Sequence, residues 1–370
     1  MSSRHDNLTL KSRWVMRRNA ILGSEKFQRW ASRTPLIRSI ARRRAAAQFD
    51  MIAGFIYSQI LGAFVQSGLI TFLQVGLRNA DEIAALTGLS PHATDRLLRA
   101  GQALQIAESP QAGLWTLGEA GAALSCNEGA LAMVRHHHLL YGDLADPVAL
   151  LKADRAQETA LSAYWTYASR GDSKSGAAGY SALMAATQPM VAQQIIDAYD
   201  FGRHRAMLDI GGGSGAFVSA VAETVPQLRS GIFDLPEVID EATKRLAAGG
   251  KAELHPGSFR HDPLPTGYDL VTLVRILHDH DDDVAQALLA KIHAALPPGG
   301  KLLIVEPMAQ ADSAPRMGDA YFGLYLWAMG SGRPRCREEI GQRLTQAGFS
   351  QISTVPTALP IITGAIVATK

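Results

Sequence analysis

The sequence predicts an α/β protein in two parts, an all-helical and winged-helix region followed by a domain built on a parallel sheet. Three observations carry that prediction. The run MLDIGGGSGAF, residues 207–217, is a short apolar strand that ends in glycines and opens a helix, which describes the first strand-turn-helix of a Rossmann-like domain. After it, strand-length apolar runs alternate with helix-length segments, as in a sheet covered on both faces. Before it, a capped helix, a turn at Gly88, a second helix from Pro91 and two short strands around Pro110-Gln111-Ala112-Gly113 make a winged-helix pattern.

The chain of 370 residues, 47% hydrophobic and 19% charged, is long and apolar enough for two domains with full cores. We divide it into a basic arm (1–48), a helical and winged-helix dimerisation domain (49–185) and a cofactor domain (186–370). Cys126 and Cys336 stand far apart without metal-ligand spacing and no leader is evident, so no disulfide, no metal site and a cytoplasmic location are expected.

The net charge of +2 is unevenly placed. Residues 1–50 hold 12 Lys or Arg against Asp6, Glu25 and Asp50, leaving 24 basic against 31 acidic residues beyond them. With Trp14, Phe27, Trp30, Leu36 and Ile37 interleaved, the arm is either a solvated helix or one that rests peripherally on an anionic inner membrane. Residues 51–77 carry no charge and are long enough to cross a bilayer of about 30 Å. Their glutamines, glycines and the Ser67-Gly68 turn instead favour two helices buried against protein.

The winged helix raises a DNA-binding regulator as the competing class. Its second helix offers only Arg96 and Arg99 as basic groups, a thin footprint for phosphates, so we read the module as a dimerisation element. His136, His137 and His138 precede an apolar helix and, at about 100° per helical residue, cannot converge on one metal. Residues 164–169 and the Gly/Ser-rich stretch 171–179 read as a linker, and 184–199 as a helix leading into the glycine strand.

Asp209 stands two residues before Gly211, followed by Gly212 and Gly213. A carboxylate there suits a cationic ligand group and repels a pyrophosphate, which favours S-adenosylmethionine over a dinucleotide. The second strand, GIFD, ends in Asp234, 19 residues past Gly215 and beside Leu235, where such folds hydrogen-bond ribose hydroxyls. Taken singly, each acid could be a capped strand end; with the glycines they read as ligand groups. A helix (236–248), a strand near 252–255 and the loop HPGSFRHDPLPTGYD follow, with Ser258 and Phe259 placed either for the edge and face of an adenine or as plain loop residues.

The next strand, 268–277, runs into His278-Asp279-His280-Asp281-Asp282-Asp283, and a later strand, 301–306, ends in Glu306 on the same side of the sheet. A histidine at a strand's carboxyl end, with a carboxylate to orient it, reads as a general base beside a methyl-donor site, the alternative being a structural histidine that caps a strand-helix junction.

LDIGGGSGAF, IFDLP, ILHDHDDD, ALPPGGKLLIVEP and RCREEIGQRLTQAGF resemble the caffeate-type and bacterial O-methyltransferases along essentially the whole chain. The resemblance implies a seven-stranded S-adenosylmethionine domain, an intertwined homodimer whose helical domain contributes to the partner's substrate pocket, His278 as base and Glu306 as its flanking carboxylate. It places Gly211, Gly212, Gly213 and Asp234 on the cofactor, with Ser258 and Phe259 at the adenine. Residues 27–61 and HHHLLYGDLADPVALL resemble the carotenoid-modifying branch, whose acceptor is a tertiary hydroxyl at the end of a long polyene. Three departures stand out: His280 where Trp is usual, Arg337 near where a second His-flanking acid is common, and Ser258 for a frequent Asp. The first two sit near the acceptor and count against a phenolic substrate, with Glu338 a candidate for the missing acid; a phenolic or polyketide acceptor, or a carbon acceptor of bacteriochlorophyll assembly, are the alternatives.

Overall fold

The computed structural model describes residues 8–165, 174–246, 251–310, 316–359 and 363–370. The chain forms two compact units, Met1–Ala122 and Ala123–Lys370. The division therefore falls at 122/123 and not at 185/186, because residues 185 and 186 lie inside one continuous helix, Lys174–Ala198. The expected linker is corrected with it. Residues 174–179 are helical despite Gly176 and Gly179, as the opening turns of that longer helix, while 166–173 lie outside the described residues. Helix Glu128–Asp143 packs along Lys174–Ala198. Their contact depends on Gly129, where a Cβ would come within 2.9 Å of the Ala186 carbonyl oxygen.

The first unit holds helices Leu10–Leu22, Glu25–Arg33, Arg38–Gln66 and Leu69–Gln74, then the winged helix. Its two short helices are Ala80–Thr87 and Pro91–Ala103. Asn79 and Glu82 form a capping box at the first, Gly88 (φ 69°) ends it, and Ser90 caps the second. Strands β1 (Arg78–Asn79), β2 (Ala107–Gln111) and β3 (Leu114–Leu117) make an antiparallel sheet in the order β1-β3-β2. Phe64, Leu69, Ile70, Leu73, Ile83 and Leu98 are buried.

The expectation for residues 51–77 is half corrected. The turn at Ser67-Gly68 is present, with Gly68 at φ 76°. The helix before it begins at Arg38, however, so the end of the basic arm and the apolar stretch form one rod. Apart from Ala53 its buried residues, Gly62, Phe64 and Val65, lie near its carboxyl end, while Phe49, Met51, Ile52, Phe55 and Ile56 are exposed.

The second unit is built on seven strands in the order β6-β5-β4-β7-β8-β10-β9. These are β4 (Ala206–Ile210), β5 (Arg229–Asp234), β6 (Glu253–Pro256), β7 (Leu270–Val274), β8 (Lys301–Glu306), β9 (Ser350–Val355) and β10 (Gly364–Thr369). The first five are parallel, and β10 runs antiparallel between β8 and β9. Strands β4 and β7 are buried along their whole length, as two-sided burial demands of central parallel strands. The winding reverses between β4 and β7, which opens a crevice at the carboxyl ends of those strands.

Candidate active site

Strand β4 delivers its chemistry at its end. Asp209 is 2% exposed and its Oδ1 accepts the Thr272 hydroxyl at 2.6 Å. Burial pushes its carboxyl up to about 7, opposed by the Thr272 hydrogen bond and reinforced by Asp234. The chain then turns through Gly211 (φ 70°), Gly213 (φ 58°) and Gly215 (φ 76°) into helix Ala216–Thr224. Only glycine holds this turn at its centre, since a Cβ on Gly211 would lie 2.4 Å from the Ile276 side chain. At the end of β5, Asp234 is bound through both oxygens: Oδ2 accepts the Gly213 N–H at 2.8 Å and Oδ1 the Leu235 N–H at 2.7 Å. Burial raises its carboxyl to about 6 against those two bonds.

These groups line one cavity of about 370 Å³ together with Ser258 and Phe259, the size of a small-molecule site. Lys291 donates to the carbonyls of Phe259, Arg260 and Asp262 and so fixes the loop that carries them. The Phe259 ring stands edge-on to His280, with centroids 5.1 Å apart. All eight residues expected around the cofactor thus meet at one place. The fit to S-adenosylmethionine rests on a side-chain-free glycine floor and two carboxylates, Asp209 buried and Asp234 half-buried, which would oppose a phosphate.

His278 departs from expectation in its setting. Strand β7 ends at Val274, and His278 sits beyond it in the 3-10 turn Leu277–Asp279, 5% exposed. Glu306, fully buried at the end of β8, accepts the His278 backbone N–H at 3.0 Å through Oε2, which lies 3.4 Å from Nδ1. Asp279 Oδ1 is 3.0 Å from Nε2 on the other side. Burial alone would lower this imidazole, but Asp279 and Glu306 outweigh it and push it up to about 9. The Phe322 ring packs 6.0 Å away. Asp279 lines the cavity, whereas His278 and Glu306 stand behind that wall.

The second acid on His278 is therefore its own neighbour. Arg337 and Glu338 instead open helix Arg337–Gln346, and no contact joins either to His278 among the described residues. Sequence reasoning also passed over Arg275, which lines the cavity in a left-handed conformation (φ 61°) with Nη1 donating to Thr187 Oγ1 at 2.7 Å. A lone arginine between apolar β7 and the histidine turn was the available signal. The three consecutive histidines lie within helix Glu128–Asp143, not ahead of it. His136 and His137 reach the hydroxyls of Tyr325 and Tyr321 at 3.0 and 2.8 Å, and His138 turns to the Arg135 carbonyl. No cluster able to hold a metal occurs among the described residues.

Residues 141–350 match the O-methyltransferase domain family. The chain is 42% identical over 350 residues to the demethylspheroidene O-methyltransferase of Rhodobacter capsulatus, covering 94% of this chain and 88% of that one. It is 39% identical over 356 residues to the enzyme of the same name from Cereibacter sphaeroides, covering 95% and 93%. Among solved structures, human N-acetylserotonin methyltransferase in complex with SAM shares the fold at a TM-score of 0.75 and 24% identity, covering 88% of this chain and 97% of that one. A family match over more than half the chain, joined to near full-length relatives, places this protein in the O-methyltransferase family, as an S-adenosylmethionine-dependent enzyme.

Proposed function

We propose that the acceptor is a hydroxyl of an apolar molecule, the tertiary 1-hydroxyl of an acyclic carotenoid of the demethylspheroidene type, with His278 as general base. The observation that carries the reading is an imidazole held between two carboxylates directly behind the cavity wall. Two relatives of matching length, named for demethylspheroidene, support the choice of acceptor.

Bound S-adenosylmethionine would supply an activated methyl group, its sulfur keeping the electron pair of the broken sulfur–methyl bond. Gly211, Gly212 and Gly213 would admit it closely, Asp209 would answer its ammonium, Asp234 and Leu235 the ribose, and Ser258 and Phe259 the adenine. As the acceptor oxygen takes the methyl, its O–H bond breaks and the proton passes to His278 Nε2, while Glu306 balances the imidazolium. A tertiary alcohol is a far weaker acid than a phenol of pKa about 10, so proton loss accompanies attack. In the free enzyme Asp279 occupies Nε2. An acceptor hydroxyl that displaces this carboxylate also lowers the imidazole's pKa, which generates the base where it is needed.

Helix Arg38–Gln66 supports two further parts of the reading. Its exposed apolar residues, Phe49 to Ile56, suit a second copy of the chain, and Arg38, Arg42, Arg43 and Arg44 suit an anionic membrane surface at which the protein is peripheral. The DNA-binding alternative gains little, since Arg99 of the second winged-helix segment is already paired with Asp95 at 2.8 Å.

Mass spectrometry of pigments after incubation with demethylspheroidene and methyl-labelled donor tests the acceptor. Label in a phenol but not in the carotenoid would reject it. Light scattering and flotation with anionic vesicles test the dimer and the membrane contact.

A further inference from the structure

The turn that carries His278 is gripped by a neighbouring segment in a way the reaction scheme above does not use. Four consecutive carbonyls, from Leu277 to His280, each accept a hydrogen bond from residues 331–335. Arg335 Nη1 donates to Leu277 O at 2.7 Å, the Arg333 N–H to His278 O at 2.9 Å, Ser331 Oγ to Asp279 O at 2.9 Å, and Arg335 Nη2 to His280 O at 2.7 Å. Gly332 lies so near that a Cβ there, at φ +75°, would sit 2.1 Å from His278 O.

Arg335 is fully buried. Removing a guanidinium from water costs several kcal/mol unless each N–H is answered. Here the two ends of its fork bracket the His278-Asp279 pair, and Nε donates to Asp282 Oδ1 at 3.0 Å. A planar fork can hold two carbonyls at a fixed separation; a lysine's point charge cannot.

We propose that residues 331–335, anchored by Arg335, are a positioning cradle that sets the register of the histidine turn and so holds Asp279 against Nε2 and His278 over Glu306. This inference rests on the reading of His278 as the base. Without the cradle a turn of one 3-10 step has little to define it, and displacements near 1 Å cost about a hundredfold in rate at a reacting centre.

The charged groups facing the imidazole are Glu306 from β8 and Asp279 from the turn. His280, kept uncharged by burial at about 4, is its other titratable neighbour there, and the Phe322 ring closes the remaining side. Loosening the turn moves a carboxylate away from His278, and because the carboxylates outweigh burial in the intact turn its titration midpoint is expected to fall. A variant that merely unfolds more easily lowers the active fraction and leaves that midpoint in place.

The experiment follows the His278 ring by NMR in histidine-labelled protein, assigned with His278→Gln. It adds calorimetry with S-adenosylmethionine and turnover of demethylspheroidene. Arg335→Lys should lower the midpoint by about one pH unit and turnover about a hundredfold, with cofactor affinity unchanged within about threefold, half the energy of one hydrogen bond to a charged group. Ser331→Ala and Gly332→Ala leave the buried arginine in place and serve if Arg335→Lys does not fold; both should lower the midpoint in the same direction. A midpoint equal to the wild type in the folded variants overturns the cradle, even if stability falls. Wild-type turnover in His278→Gln would instead remove the base reading, and the titrations would still decide the cradle.

Discussion

Glu306→Gln isolates the charge behind the base from everything else at the site. Glu306 is fully buried, touches His278 through Oε2 and does not line the cavity, so the substitution leaves the cofactor contacts alone. At 3.4 Å and an effective dielectric of about 20, the gross attraction between carboxylate and imidazolium is about 5 kcal/mol. The amide oxygen of glutamine retains the backbone bond, and Asp279 still holds Nε2, so about half of that is lost at the transition state. Two factors of ten correspond to about 2.7 kcal/mol, and we therefore expect kcat to fall about a hundredfold.

The imidazole, now with one carboxylate, should titrate below its present value of about 9. Because the base works deprotonated, kcat/KM for the acceptor rises with pH through that free-enzyme midpoint in the wild type, and the rise moves to lower pH in the variant. The amide nitrogen enters the place of Oε1, which has no hydrogen-bond partner, adding a stability cost of about 1 kcal/mol for an unanswered donor. The assay is kcat/KM for the acceptor against pH at saturating cofactor, with kcat and cofactor Kd beside it. An unmoved pH midpoint, or a loss that appears mainly in cofactor Kd, would refute the reasoning.

Asp234→Asn should weaken cofactor binding at least about tenfold by calorimetry, the scale of one charge-assisted hydrogen bond, with kcat little changed once the cofactor saturates. Gly211→Ala meets both a left-handed backbone and the Ile276 side chain, so a stability loss of about 1–3 kcal/mol should appear in urea unfolding together with loss of cofactor binding. The imidazole of His278, raised in the fold above its ordinary 6.5 to about 9, contributes stability that is fully present below about pH 6.5 and lost as pH rises through about 9. The difference in unfolding free energy between wild type and His278→Gln should shrink across that window.

The parts of the site visible in the sequence are those where backbone geometry or chemistry leaves few alternatives. Glycines at 211, 213 and 215 have a meaning that only a left-handed turn supplies, and a histidine between apolar β7 and a run of acids is hard to read as core. What stayed hidden depends on pairings across long stretches of chain. Ser331 to Arg335 holds two arginines and no apolar residue but Pro334, yet its last arginine is buried because the carbonyls that answer it come from residues 277 and 280. The identity of the second acid was missed for the opposite reason: Asp279 was too close in sequence to look like a partner, whereas a 3-10 turn folds its carboxylate back onto the adjacent ring. Residues 174–179 looked like a linker because small residues serve both loops and closely packed helices, and composition alone does not separate the two.

Strand β10 pairs with β8 along its whole length, and Gly364 lies opposite Glu306. In order of synthesis β10 emerges after every other strand described, so β8 carries an open flank until those residues have left the ribosome. The carboxylate behind the histidine therefore leans on a strand supplied from far along the chain. A polypeptide without that strand would keep the glycine turn while losing what backs Glu306, so donor binding and proton uptake draw on different stretches of sequence.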